Sequence, residues 1–499
     1  MPGLSGPGGA PASDLPGASG SGGASRARRP RGALAIVLHT HMPYVEGFGT
    51  WPFGEEWLWE AITGSYLPLL QLLDAGAPLT LSLTPVLCDQ LQGPGVPERY
   101  VAFLDDVRRY THAEDTRGLR AGGHEQLARE LERAWGDYAR ALQRFAQLDG
   151  DLLGALAPHA QWTSAATHAV LPLLASDGCL RAQVQGGVDA HAARFGAGWR
   201  GGFWLPECAH APWLHATLTD AGVRATCVEL TRRYGLGARE HLRPLVGDSG
   251  PVLVPVDRAT MSLVWSDRGY PAHGGYRDYH HHTVHHHNVW SNHGGAYDHE
   301  RARGLAREHA ADFVARTRAR LSADGRGLPG GGLAVCALDT ELLGHWWYEG
   351  IDWLAATIDE CARQGLELVR LDDALARLEP LAVSGVEEWG VSTWGEGGEL
   401  ATWSAPAVAD IAFATRAAEL RVLRAGAGAG VTALRELLAL QASDWAFMVS
   451  RGLAVPYARE RFHGHLQALE RALGGGGEEG APALRRLALH ANPSALLAV

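Results

Sequence analysis

The sequence predicts an α/β fold built on a parallel sheet, open or closed into a barrel, with a helical insertion and an all-α region at the C-terminus. Three patterns carry that prediction. Short, wholly apolar runs alternate with helical periodicity, a long stretch of three-to-four spacing interrupts the alternation, and strand-like runs cease after about residue 405. Strands that are apolar on both faces and separated by helices are the mark of a parallel sheet covered by those helices.

Residues 1–31 are rich in Gly, Pro, Ala and Ser and end in Arg26-Ala27-Arg28-Arg29-Pro30-Arg31. Such a segment buries too little apolar area to order itself and is read as a disordered tail. It lacks the apolar stretch of a signal peptide, so export is not indicated. Order is expected from Ala33-Leu34-Ala35-Ile36-Val37-Leu38, a buried strand. A helix around Trp57 to Leu73 and a second strand-like run from Leu79 to Leu87 follow. From about 98 to 150 the pattern turns helical: Leu127, Leu131, Trp135, Tyr138, Leu142 and Phe145 recur every three or four residues, an amphipathic helix of about six turns. Further strand-like runs are Gly202 to Leu205, Val252 to Pro255 and Leu333 to Leu338. We divide the chain into the tail, an α/β region over 32–385 carrying the insertion, and a helical region over 386–499 in which Leu434, Leu437, Leu438 and Trp445 keep helical spacing.

The 499 residues are enough for one large α/β barrel and an accessory domain, or for several smaller domains, and 46% apolar content allows a sizeable core. No apolar run approaches the roughly 18 residues of a membrane span. A net charge of −11 argues against a general nucleic-acid binder, and all 44 basic residues are Arg. Six Cys without a CxxC pair read as reduced thiols of a cytoplasmic protein. The 17 Trp stand out. A flat indole covers the apolar face of a sugar ring, although buried Trp is also ordinary packing.

Four polar clusters sit where apolar strands end, the place where parallel α/β folds assemble sites. His39-Thr40-His41 puts two imidazoles on one side of a strand, which suits a metal or a polar ligand. Trp204-Leu205-Pro206-Glu207 places a carboxylate after an apolar strand, where ionisation is expensive without partners. A helix-capping Glu is the structural alternative. Asp339-Thr340-Glu341 leads into His345-Trp346-Trp347 with no turn chemistry to explain the acids. Thr393-Trp394-Gly395-Glu396-Gly397-Gly398, with Trp403 behind it, makes a loop with two indoles that serve either a ligand or the core. Glu207 and Asp339 lie on different strands, so the fold can set them across a cleft. A retaining glycosidase needs such a pair about 5–5.5 Å apart, one attacking the anomeric carbon and the other, with a raised pKa, acting as acid and then base.

These clusters, with Ala166-Thr167-His168, Val264-Trp265-Ser266, Gly269-Tyr270-Pro271 and Ser443-Asp444-Trp445, run in the order found in family 57 of the glycoside hydrolases, and the chain resembles its α-1,4-glucan branching-enzyme subgroup. The resemblance implies an incomplete (β/α)7 barrel, a helical insertion and a C-terminal helical domain that helps close the cleft. It implies a retaining double displacement on α-1,4-glucan without metal or organic cofactor, Glu207 being the nucleophile and Asp339 the acid/base. It places His39, His41, His168, Trp204, Trp265, Tyr270, Trp346, Trp394, Trp403, Asp444 and Trp445 along the substrate cleft, with neither nucleic acid nor membrane as a partner.

Two departures from the family stand out. The loop that carries a transfer-promoting Tyr in relatives is compact here, and Tyr234 is the candidate equivalent. A truncated loop favours hydrolysis (an α-amylase) or 4-α-glucanotransfer. The second is the run from His280 to His287, in which His281 and His285 would share a face if helical. A metal there, and adventitious metal affinity of an exposed loop, are the two readings. Outside this chemistry stand a metal-dependent polysaccharide deacetylase, with His39 and His41 as ligands, and a catalytically silent glucan-binding protein.

Overall fold

The computed structural model describes residues 32–49, 53–475 and 486–496. The tail assigned to residues 1–31 therefore lies outside them. Ten strands form one sheet: β1 (Ala33–Thr40), β2 (Thr80–Leu83), β3 (Ala160–Ser164), β4 (Gly202–Trp204), β5 (Ala225–Val228), β6 (Leu245–Val246), β7 (Val252–Pro255), β8 (Leu333–Asp339), β9 (Glu367–Leu368) and β10 (Leu381–Ala382). The order is β10-β6-β7-β5-β4-β3-β2-β1-β8, with β9 beside β1. The seven strands of three or more residues pair in parallel throughout, and the one antiparallel pairing among the described strands is that of the short β6 with β7, β10 running parallel to β6 at the edge. Across the remaining gap the Asp257 amide, just past β7, donates to the Val335 carbonyl of β8 at 2.8 Å. The sheet is thus an incomplete seven-stranded barrel.

Strand alternation sorts the side chains. Leu34, Ile36 and Leu38 of β1 and Ala334, Cys336 and Leu338 of β8 pack outward against the helices His299–Asp324 and Gly350–Gln364. Ala35, Val37, Val335 and Ala337 point into the barrel with Trp162, Trp204, Cys227 and Val254. Side chains repeat every second residue along a strand, so the next inward positions are His39 and Asp339. The two are register partners at the C-terminal mouth. Two inward rows of small apolar residues end in chemistry.

The Leu79–Leu87 run is shorter as a strand than expected. The strand stops at Leu83, and Thr84 caps a helix Pro85–Leu91 with Pro at its start, a position where the missing N–H is not needed. The insertion comprises helices Val96–Ala102, Arg109–Ala121, Glu125–Gln147 and Leu152–Leu156, with a π-helical turn Phe103–Arg108. Residues 386–394 remain against the barrel, where Ser392 and His210 exchange backbone bonds of 2.8 and 3.0 Å. The C-terminal helices Ala409–Ala425, Gly430–Leu440, Ser443–Ser450 and Val455–Leu473 bury Leu434, Leu437, Leu438, Trp445 and Phe462 against Tyr44, Val86 and Ala166 of the barrel loops. That packing brings the start of Ser443–Ser450 over the mouth. No described helix is long and apolar enough to cross a membrane.

Candidate active site

Glu207 follows β4 in a left-handed conformation, φ 61° and ψ 21°. A non-glycine residue there costs on the order of 1–3 kcal/mol and persists only where its surroundings enforce it. The enforcement is visible. Its carbonyl accepts the Thr393 hydroxyl at 2.6 Å and the Trp394 amide at 3.2 Å. Its carboxylate accepts Trp394 Nε1–H at 3.0 Å on Oε2 and the Ser443 hydroxyl at 3.2 Å on Oε1. Cys208 and His168, also in this corner, have positive φ.

A hydrogen-bonded chain runs to Glu207 through four side chains: Ser82 Oγ to His39 Nδ1 (3.3 Å), His39 Nε2 to His168 Nε2 (2.9 Å), His168 Nδ1 to Ser443 Oγ (2.8 Å), then Ser443 to Glu207. The carboxylate only accepts, which fixes every proton. Ser443 donates to Glu207 and accepts from His168 Nδ1–H, so His168 Nε2 accepts from His39 Nε2–H, and His39 Nδ1 accepts from Ser82. Both imidazoles must be neutral for this. Burial drives both well below the usual histidine range.

On the opposite side, His41 Nε2 bonds Asp444 Oδ1 at 2.9 Å and its amide donates to Glu341 at 3.1 Å, while the Tyr66 hydroxyl donates to Glu341 at 2.6 Å. Burial alone would lower His41, but Asp444, Glu341 and Glu207 outweigh it and raise its pKa. Asp339 differs from all of these. Among the described residues no group donates to its carboxyl, and burial, then the charges of Glu341 and Glu207, hold it well above the ordinary carboxylate range. Burial also lifts Glu207, helped by Asp444, but Trp394, His41 and Ser443 act against the lift. Burial pushes Glu341 up to about 7. One carboxyl therefore has donors that favour its anion, and its neighbour has only burial and negative charge, which favour the acid.

His39, His41, His168, Glu207, Asp339, Trp394 and Asp444 are brought together. Trp394 lies between Trp204 and Trp265, with ring centroids 5.0 and 5.6 Å away, and Trp265 is half-buried at this rim. Three expected sugar-stacking faces are not offered: Trp204 and Trp445 are 0% exposed and Trp403 4%, so these rings pack the core. Trp204 instead stacks on His39, centroids 4.8 Å apart. Tyr270 is engaged elsewhere, its hydroxyl on Asp312 at 2.7 Å and its ring stacked on His309. Trp346, 42% exposed, lines a separate cavity of about 700 Å³ against the insertion. Tyr234 packs beside Trp389 and His241 rather than at the carboxyls.

Ser443 and Tyr66 complete the site; sequence reasoning gave Ser443 no role and missed Tyr66. A single hydroxyl on a helix has no spacing signature, although the quoted Ser443-Asp444 pair marked the right place. His41, His168 and Asp444 have ligand atoms within 4.8 Å of one another and could hold a metal ion. The hydrogen bonds just described engage both ring nitrogens of His39 and of His168.

A half-closed parallel barrel with two carboxyls of opposite environment at its mouth defines a glycosidase-type carbohydrate enzyme. The chain belongs to glycosyl hydrolase family 57. The model of that family matches residues 162–387, and that of the C-terminal region of 1,4-alpha-glucan branching enzymes matches 414–481. A probable 1,4-alpha-glucan branching enzyme of Mycobacterium tuberculosis is 33% identical, covering 89% of this chain and 92% of the relative. A branching enzyme of Thermococcus kodakarensis is 30% identical over 86% of this chain and 72% of its own. The crystal structure of a family 57 branching enzyme from Pyrococcus horikoshii superposes with a TM-score of 0.83 at 28% identity, covering 93% of this chain and 97% of that one.

Proposed function

We infer that the chain is a 1,4-α-glucan branching enzyme. Glu207 attacks the anomeric carbon of an α-1,4-linked glucan while Asp339 gives its proton to the leaving 4-oxygen. Asp339, now ionised, takes the proton of an acceptor 6-hydroxyl, which displaces Glu207 and forms an α-1,6 branch with net retention. The contrast between Glu207, with its donors, and donorless Asp339 carries this reading of the chemistry. Relatives matched along nearly the whole chain, C-terminal helices included, support transfer to a 6-hydroxyl. Trp394 and Trp265 at the rim are the stacking faces that fit a glucan. The six cysteines, all free and buried, fit a cytoplasmic enzyme acting on glycogen or a related α-glucan.

Hydrolysis is the second reading, favoured by the position of Tyr234 away from the carboxyls. Incubation with amylose, followed by debranching and chain-length analysis, separates the two. New α-1,6 links are expected; free reducing sugar without them would assign a hydrolase instead.

A further inference from the structure

The run from His280 to His287 is not helical, so His281 and His285 share no face, and among the described residues no cluster able to hold a metal forms there. A buried pair of glutamines behind the barrel mouth carries more. Gln183 sits on the helix Asp177–Phe195 and is 0% exposed. Its Oε1 accepts the Thr167 amide at 3.1 Å, and its Nε2 donates to the Thr167 hydroxyl at 2.8 Å and to Gln441 Oε1 at 2.9 Å. The backbone N–H of Thr167 can only donate, which fixes the orientation of the Gln183 amide. The Thr167 hydroxyl, accepting from Gln183, gives its own proton to the Leu438 carbonyl of the helix Gly430–Leu440. One side chain therefore joins the loop after β3 to the C-terminal helices.

The joined segments are those that carry contacts to Glu207. Thr167 precedes His168, and Gln441 lies two residues before Ser443. Beside the glutamines, Ala169 and Ala442 form an antiparallel bridge, and the Ser443 amide donates to the His168 carbonyl at 3.1 Å. His168 is held here at a φ of 61°, a left-handed conformation unfavourable for a non-glycine residue. From that position its Nδ1 reaches Ser443 Oγ at 2.8 Å, and Ser443 reaches Glu207 at 3.2 Å. Gln183 and Gln441 are 258 residues apart along the chain, so contacts such as theirs, not connectivity, set the register of loop against helix.

We propose that Gln183 is a positioning residue for the nucleophile: by clasping Thr167 to Gln441 it sets the register in which His168 holds the Ser443 hydroxyl on Glu207. The proposal rests on the reading of Glu207 as nucleophile. Without the Gln183 amide, the Thr167 N–H and Gln441 Oε1 lose a buried partner, and buried polar groups without partners are costly enough to drive local rearrangement. A shift of about 0.5 Å between loop and helix takes a hydrogen bond of this length out of range.

The test is a double-mutant cycle on the full-length protein, with Gln183→Leu, Ser443→Ala and their combination assayed by the loss of amylose–iodine colour. Gln183→Leu should lower kcat about 3- to 10-fold with KM unchanged, the upper figure being the worth of the Ser443 hydrogen bond itself. In the Ser443→Ala background the same change should cost less than about twofold, because the bond it acts through is already gone. Gln441→Leu cuts the clasp from the other side and should repeat both results; should Gln183→Leu not fold, it takes that variant's place in the cycle. Losses that multiply in the double variant would make the clasp structural only and overturn the proposal. So would an unchanged kcat, or a rise in KM alone. The reading beneath it fails separately: full kcat in Glu207→Gln would remove the nucleophile whatever the cycle shows.

Discussion

Two walls of the molecule treat buried acids in opposite ways. Across the insertion most buried acids have an arginine: Arg108 serves Glu56 and Glu60, Arg133 and Arg277 serve Glu130, and Arg99 serves Glu55, while Asp115 is met by His285 and Thr283. At the barrel mouth Glu207, Asp339, Glu341 and Asp444 gather with no Arg in ion-pairing reach among the described residues, only His41 and His168. Even the insertion shows the limit of compensation, for one Arg between two acids leaves Glu56 pushed up to about 8 by burial. Paired acids hold helices together. Unpaired acids keep protons, which an acid catalyst needs and a scaffold does not.

The largest expected effect falls on the unpaired wall. Glu207→Gln should lower kcat by more than about 10⁴-fold, and Asp339→Asn by about 10²–10⁴-fold, the range for loss of a general acid. Fluoride as leaving group needs less protonation, so α-glucosyl fluoride should restore the first step in Asp339→Asn and not in Glu207→Gln. Equal losses with both substrates would erase the distinction drawn between the two carboxyls.

The paired wall breaks in stability instead. Arg108→Met strands Glu56 and Glu60 in a buried setting and should destabilise the fold by about 3–5 kcal/mol. Denaturant titration measures this, and kcat assayed where the variant is still folded should be unchanged. A stable variant with lost activity would show that the insertion's charges belong to the catalysis.

Much of this division could be read from the chain alone. Inward rows of Ala and Val ending in His39 and Asp339 are a strand period with a polar terminus, and Trp204-Leu205-Pro206-Glu207 is the same signal on β4. What stayed hidden depends on distance along the chain. Ser443 reaches Glu207 across 236 residues and Tyr66 reaches Glu341 across 275. No local pattern says that a helix carrying one hydroxyl will land on a barrel. Trp residues misled for a related reason: Trp403 and Trp445 sit in segments that shape the cleft, but the helical packing that delivers Asp444 turns their rings into the core.

Ser443 sharpens the comparison at smaller scale. Its hydroxyl is the last donor of the chain from Ser82 and favours ionised Glu207. Ser443→Ala should lower kcat about tenfold, the worth of one hydrogen bond to a charged group. Without the donor the Glu207 pKa rises further, and attack needs the anion, so the acidic limb of kcat/KM should move to higher pH. The basic limb, set by the proton on Asp339, should stay. A pH profile that only scales downward would mean that the hydroxyl positions Glu207 without tuning it.

The smallest effect tests whether the unpaired wall is held at the expense of stability. Asp339 keeps its proton in the folded chain above the pH at which an unfolded Asp releases it, because burial and the charges of Glu341 and Glu207 oppose ionisation. Between those two pKa values the folded state binds more protons than the unfolded state, so stability falls as pH rises through that window. An Asn at this position has no proton to lose. The Tm advantage of Asp339→Asn should therefore be near zero below about pH 3, where both states of the wild type hold the proton, and grow with pH to roughly 1–3 °C. Glu341, pushed up to about 7 by burial, adds the same sign to both proteins and cancels in the comparison. An advantage that shrinks with rising pH would mean that Asp339 is ionised in the free enzyme, and the acid would then have to be sought at Glu341.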